Sequence, residues 1–309
     1  MALQKYFSQT LTGVGLKYTQ DPKDFKSTQI FPICPVNLLS STFPTYDKQY
    51  WMKNEAKVRT PGTESHGGVH GRGEDSYACR DIAYHEDVPV EYIENDPDPL
   101  NPERAATLRV SSKINLYNEV DFAARFMATG KWGTNEATPG TLWSAANSTP
   151  LKDIDGYKRT IQLATARRAN KAVISRQVFD VLKRHPDVTE QVKYTSSRNV
   201  TEEMLAGILE LDSIVVLDAV YDSAKFGATA AQGFVAGKHM LLLHTAKTPS
   251  LEDPSAGYVF SWNGYGQAGY GVERIPQPNA KAIRIEAHYY LDMKQMATDL
   301  GYFIKDPIA

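Results

Sequence analysis

Four side chains able to hold a metal ion crowd into one stretch of the sequence: His66, His70, Cys79 and His85. Imidazole and thiolate suit zinc or iron, but a resident site needs its ligands fixed on one face. His66-Gly67-Gly68-Val69-His70 is glycine-rich, so no helix holds the two imidazoles as an i, i+4 pair. Solvated loop histidines are the simpler reading, and a cytosolic metalloenzyme is kept as a rival. Gly264-Tyr265-Gly266-Gln267-Ala268-Gly269 has the G-x-G-x-x-G spacing of a dinucleotide site. A phosphate needs a helix N-terminus there, and Tyr270 to Pro276 is poor helix-forming sequence, which leaves a Tyr/Gly-rich surface loop. The chain carries no G-x-S-x-G elbow, P-loop, H-E-x-x-H or EF-hand motif, so neither catalysis nor a cofactor is expected.

Charge is organised where chemistry is not. Glu86, Asp87, Glu91, Glu94, Asp96 and Asp98 form an acidic run, and residues 158–184 are basic through Lys158, Arg159, Arg167, Arg168, Lys171, Arg176, Lys183 and Arg184. Two solvated faces would account for these runs. The sharper reading is complementarity between copies of the chain, which fixes register and orientation.

The elements that position these residues follow from pattern. Residues 1–50 interleave polar residues and proline with single apolar residues without a sustained period, which predicts an extended arm. Tyr50 to Arg59 and Tyr77 to Tyr84 read as the strands of a long hairpin whose tip, Thr60 to Ser76, holds Gly62, Gly67, Gly68, Gly71 and Gly73. A connection that long normally serves binding. Asn101-Pro102-Glu103 opens a helix to about Thr129, with Gly130 as its stop. A second helix is predicted over 153–169. Lys171 to Ile174 reads as a strand feeding a helix capped by Ser175, and Thr201-Glu202-Glu203 starts another with Val200 and Leu205 as its staple. Ser213 to Leu217, His239 to His244 and Tyr258 to Trp262 are expected as strands of one sheet, making 170–272 an α/β unit, and Ala280 to His288 alternates as a long strand.

The chain has 309 residues, enough for a sizeable core. Its 34 basic against 36 acidic residues give a formal charge of −2, which argues against bulk electrostatic attraction to nucleic acid, so any DNA contact is local. Cys34 and Cys79 are too few for a disulfide framework, which fits a reducing compartment. The N-terminus lacks the pattern of an export signal, and the longest apolar runs, Ile214 to Leu217 and Met240 to Leu243, are far short of a membrane span. The expectation is a protein neither exported nor inserted.

This order of arm, glycine-tipped hairpin, long helix, α/β unit and final strand resembles the major capsid proteins of tailed bacteriophages. Ala56-Lys57-Val58-Arg59-Thr60-Pro61-Gly62 resembles the Arg-x-Pro-Gly that opens the E-loop of capsid proteins like the lambda head protein. Asp96 to Leu116 with Asn118-Glu119 resembles the start of their spine helix. Lys171 to Ser175, His185-Pro186, Tyr194-Thr195, Leu205-Ala206 and Leu217-Asp218-Ala219-Val220-Tyr221 follow the family's succession. The resemblance covers most of 45–309 and implies an α+β, HK-ninety-seven-like fold. In it, 1–45 is the N-terminal arm and 46–95 the E-loop. Residues 96–165 with 275–309 form the peripheral domain, with a spine helix over about 101–129, and 166–274 form the axial domain.

It further implies a non-enzymatic head protein whose pentamers and hexamers close an icosahedral shell around double-stranded DNA, contacted non-specifically, in a virion assembled in the host cytoplasm. Expected partners are further copies, a separate scaffolding protein, a portal and a decoration protein, with no membrane. The chain is too short for a large cleaved scaffolding segment ahead of the fold. Expected contacts between subunits fall on Arg59, Glu64, Arg72, Glu74, Glu86, Asp87, Glu91, Arg167 and Arg168. Covalent crosslinking through Lys53 or Lys57 is not expected. An encapsulin-like nanocompartment shell shares this fold and stays as an alternative. Arm and hairpin are entropically costly on a monomer, and laid across neighbours they add buried area without enlarging each core.

Overall fold

The computed structural model describes residues 20, 22–46, 52–68, 71–95, 102–192, 200–225, 227–250, 253–266 and 268–309. Short 3-10 turns at Pro22–Asp24 and Ser27–Gln29 lead into β1 (Ile33–Val36) and β2 (Ser40–Tyr46). β3 (Arg72–Ala78), β4 (Arg80–Pro89) and the short helix α1 (Val90–Glu94) follow, then the long helix α2 (Pro102–Phe126) and β5 (Glu136–Ala137). α3 (Pro150–Thr165), β6 (Lys171–Ser175), α4 (Arg176–Arg184), α5 (Pro186–Val192) and α6 (Glu202–Ile208) come next. β7 (Ser213–Leu217), β8 (Val220–Asp222), β9 (Gln232–Phe234) and β10 (Met240–Leu243) precede β11 (Gly257–Trp262), β12 (Tyr270–Gln277), β13 (Ala282–Gln295) and β14 (Gly301–Ile304).

Two five-stranded sheets share one core. In the first, the order runs β1-β11-β13-β12, with β4 along the other side of β13. β13 alternates, so Ile285, Ala287, Tyr289, Leu291 and Met293 are buried and the residues between them are half-exposed. The second sheet runs β5-β14-β10-β6-β7. Apart from the short edge strand β5, its strands read as apolar runs because both faces are covered. Ala172, Ile174, Met240, Leu242 and Ile304 pack with residues of α3, α4 and α6, whereas Val173, Leu241, Leu243 and Phe303 pack with α2 and the first sheet.

Along α2 the buried positions Ala106, Val110, Ile114, Asn118, Phe122 and Phe126 recur every four residues. A row at that spacing is inclined to the helix axis, so the buried side turns as the helix advances. Ala106 packs with Val88 and Ile285, while Phe122 and Phe126 join Phe31, Trp132 and the second sheet. The helix ends at Phe126, three residues short of the predicted 129 and ahead of Gly130 at φ 83°, and Asn101 lies outside the described residues. α3 begins three residues earlier than predicted, at Pro150, and ends at Thr165, where Ala166 takes a left-handed conformation at φ 55°. Ser175 and Thr201 cap α4 and α6 as predicted, accepting from the Val178 and Met204 amides, and Val200 and Leu205 are both buried.

Three expectations are corrected. The strand predicted at Tyr50 to Arg59 is not the hairpin's first arm: residues 54–60 carry no regular structure, and β3 pairs with β2. Aromatic anchoring sets this choice, since Phe43 and Tyr77 stack on Phe260 of β11 with centroids 5.6 and 4.6 Å away. The predicted arm is, over its described part, built into the fold. Ile30 and Phe31 are fully buried, and β1 adds in parallel to β11. That segment is pinned residue by residue and so shows no period. Finally, Tyr258 to Trp262 does not join the sheet of β7 and β10 but lies in the first sheet beside β13, and β14 and β5 complete the second from outside 170–272. A strand buried on both faces carries no alternation that would assign it to a sheet.

Candidate assembly surface

The β2–β3 hairpin is held at its root. Lys294 of β13 reaches the Asp75 carboxylate and the Ser76 carbonyl and lies 5.5 Å from the Phe43 ring centre. The Ala78 amide donates to Asp292 Oδ2 at 3.1 Å, and the Cys79 amide donates to the Leu39 carbonyl at 2.8 Å. Burial works to raise the Asp75 pKa, but the Lys294 hydrogen bond, the Ser76 amide and the Lys294 charge outweigh it and hold the carboxyl below its usual range. Beyond this root, residues 52–68 are exposed apart from half-buried Glu55, and Val58 is 102% exposed.

The expected contact residues divide into two groups. Arg59 and Glu64 lie in the exposed 52–68 segment, Arg72 and Glu74 on β3 and Glu91 on α1, all solvent-exposed. Glu86, Asp87, Arg167 and Arg168 are engaged within the chain. Glu86 accepts the Arg109 guanidinium of α2, with Nε 2.9 Å from Oε2, and Arg284 of β13 forks onto Asp87 at 2.8 and 3.0 Å. The Arg284 hydrogen bonds keep the Asp87 carboxyl below its usual pKa. Arg167 reaches Asp253 at 3.3 Å and Arg168 reaches Glu210 at 2.8 Å. These partners are distant in sequence, so spacing could not reveal them.

The metal-ligand candidates are not brought together. His66 lies in the exposed loop, His85 projects from β4, and His70 is outside the described residues. Cys79 is buried with its Sγ 3.6 Å from the Phe260 carbonyl, and burial, with Asp292 and Cys34 nearby, pushes its thiol up to about 11. Such a thiol is a poor ligand and nucleophile. Among the described residues no group of three or more His, Cys, Asp or Glu side chains could hold a metal ion, and no helix is long and apolar enough to cross a membrane. The G-x-G-x-x-G stretch is the β11–β12 connection, with Gly266 and Gly269 at φ 56° and 75°, and no helix follows it. At Gly266 a Cβ would lie 2.0 Å from the Tyr270 carbonyl oxygen, so a close backbone approach explains that glycine.

Sequence reasoning missed the junction beneath the arm. Glu119 of α2 is fully buried and accepts the backbone amides of Lys26 at 3.2 Å and Ser27 at 2.8 Å. The Lys26 ammonium lies 3.5 Å from Asp218 and 3.8 Å from Glu202. Lys171 donates to the Gln29 and Ile30 carbonyls at 3.2 and 2.7 Å. The start of the described chain is thereby tied to the long helix, to the root of α6 and to the second sheet. Glu119 lies one residue off the buried row of α2, beside Asn118, so the helical pattern gave no signal for it.

Known proteins place this architecture. The model of the family described as phage major capsid protein E matches residues 117–288. The chain is 24% identical over 300 residues to the major capsid protein of Burkholderia phage BcepMu, covering 95% of this chain and 94% of that one. It is 26% identical over 235 residues to the major capsid protein of Pseudomonas phage JBD67, covering 72% of each. A phage-related protein from Bordetella bronchiseptica RB50 shares the fold with a TM-score of 0.71 at 24% identity over 93% of both chains. The SrpI encapsulin of Synechococcus elongatus PCC 7942 matches at a TM-score of 0.52 and 11% identity over 96% of this chain and 95% of that one. The fold is the HK-ninety-seven-like capsid fold expected from the sequence, and with more than half of its length matched by the family model the chain belongs to the phage major capsid protein E family.

Proposed function

We propose that the chain is the major head subunit of a tailed phage, closing an icosahedral shell of pentamers and hexamers around double-stranded DNA. Family membership and the two phage relatives support this reading over an encapsulin-like compartment. The single observation that carries it is the 52–68 extension, whose ordering cost of roughly 1–2 kcal/mol per residue is not repaid by burial within its own chain. A neighbouring subunit repays it, and many weak contacts repeated over a shell become collectively stable.

In this proposal 1–45 acts as the arm, 46–95 as the E-loop, 96–165 with 275–309 as the peripheral domain and 166–274 as the axial domain. Arg59, Glu64, Arg72, Glu74 and Glu91 meet neighbours directly, while Glu86, Asp87, Arg167 and Arg168 keep the contacting elements rigid. A scaffolding protein, portal and decoration protein complete the head, which assembles in the host cytoplasm. The role is structural, not catalytic.

Negative-stain electron microscopy of the expressed chain, with and without a scaffolding partner, tests this. The wild type gives closed shells or capsomer rings, and deletion of residues 54–68 leaves a chain with unchanged circular dichroism that forms neither. Only small discrete particles from the wild type under every condition would refute the assignment.

A further inference from the structure

The solvent face of α3 carries a stripe that its own chain does not explain. Lys152, Gly156, Arg159 and Leu163 are exposed and, at offsets of 0, 4, 7 and 11, fall on one side of the helix. Leu163 is 80% exposed. Gly156 weakens the helix interior, yet a Cβ there would meet nothing within 4 Å, so neither close packing nor positive φ accounts for it. Asp155, beside the stripe, is engaged by the buried Lys158 ammonium at 2.7 Å, and neither Lys152 nor Arg159 has an ion pair among the described residues.

The complementary feature is α1. Tyr92 is 68% exposed there, between exposed Glu91 and Glu94, neither of which has an ion pair among the described residues. α1 sits at the Ala282 end of β13, where the Val90 amide donates to the Lys281 carbonyl at 2.9 Å. α3 packs against the 298–300 turn and β14, past the other end of that strand. Fourteen residues of β13 at about 3.3 Å each put roughly 45 Å between them, so one chain cannot join its own two faces.

We infer that α1 of one copy docks on the solvent face of α3 of a second copy, Tyr92 lying over Gly156 against Leu163 and Glu91 and Glu94 facing Lys152 and Arg159. The inference rests on the shell reading and names one of its contacts. Because the two faces differ, the contact is head-to-tail, the kind that builds rings and extended lattices. The missing side chain at position 156 is the space for the ring, and the charges set orientation.

The test compares the subunit concentration at half-assembly, by light scattering and electron microscopy. Glu91→Lys with Glu94→Lys, or Lys152→Glu with Arg159→Glu, raises it at least about tenfold, and all four changes in one chain bring it back to within about threefold. Gly156→Leu gives a monomer at least as heat-stable as the wild type that assembles worse, a split that a purely structural glycine would not produce. Unchanged assembly in the double variants, or no rescue in the quadruple one, overturns the inference while wild-type shells keep the shell reading intact. Loss only with the Lys152 and Arg159 changes assigns the face to an acidic segment of another protein and overturns it too. A wild type that never assembles sinks both readings.

Discussion

Glu119 shows how one buried charge can set the path of a chain. Its carboxylate is the acceptor for two amides, the half-buried one of Lys26 and the buried one of Ser27. Burial raises its pKa despite these bonds and the nearby Lys26. An acid whose folded pKa is raised gives stability that is complete below its unfolded value, near 4.5, and is lost as pH rises through the folded value. Glu119→Ala strands both amides and costs about 2 kcal/mol or more, whereas Glu119→Gln keeps a carbonyl for Ser27 and costs less than about 1 kcal/mol. Urea unfolding of the three proteins checks the order. Repeated between pH 7 and pH 4.5, it shows the wild type gaining on the Gln variant as pH falls. Asp75 and Asp87, with lowered pKa values, behave oppositely, contributing above about 3.8 and losing that contribution in stronger acid.

At the level of elements, α2 is the beam on which both sheets rest, and its inclined row of buried residues lets it serve each along a different part of its length. The aromatic cluster of Phe31, Phe122 and Phe126, with centroids 5.0 to 5.8 Å apart, locks the described start of the chain onto the far end of that beam. Phe122→Ala leaves a cavity at the junction of the sheets and lowers the unfolding free energy by about 3–5 kcal/mol, read from chemical denaturation of the unassembled chain. A loss below about 1 kcal/mol would mean that the junction collapses around the gap. The helix was legible because Asn101, Pro102 and Glu103 at its start and apolar residues near helical spacing are local signals, although Leu108, one of those residues, is exposed. The hairpin's true partner strand was not, because Phe43 and Tyr77 are chosen by Phe260, nearly two hundred residues away.

For the molecule as a whole, the described part pairs a buried core with apolar side chains left in solvent, Val58, Tyr92 and Leu163 among them, which the proposed shell contacts would cover. A near-neutral charge of −2 argues against drawing nucleic acid in by bulk attraction, so the proposed contact with packaged DNA would be local. Particles purified from cells that also produce the packaging machinery are expected to yield double-stranded DNA on extraction, and particles filled with one enzyme would instead favour the compartment alternative. Of the nine expected contact residues, eight stand exposed and Glu86 is half-buried, but Glu86, Asp87, Arg167 and Arg168 already have partners within the chain. The sequence showed which charges exist, but not which ones folding uses up.

The amino-acid sequence by itself determined the mixed α and β class, the long helix, the capped short helices, a long strand from about Ala282, though not its extension to Gln295 or the strand after it, and the resemblance to phage capsid proteins. These depend on caps, periodicity and residue order, which act within a few turns of chain. The tertiary structure alone decided which strands share a sheet, where the hairpin begins, that the described part of the arm is anchored in the core, and which carboxylates already have an arginine. Each of those outcomes is a contact between residues far apart in the chain, selected by packing and charge only once the two sheets and α2 have come together.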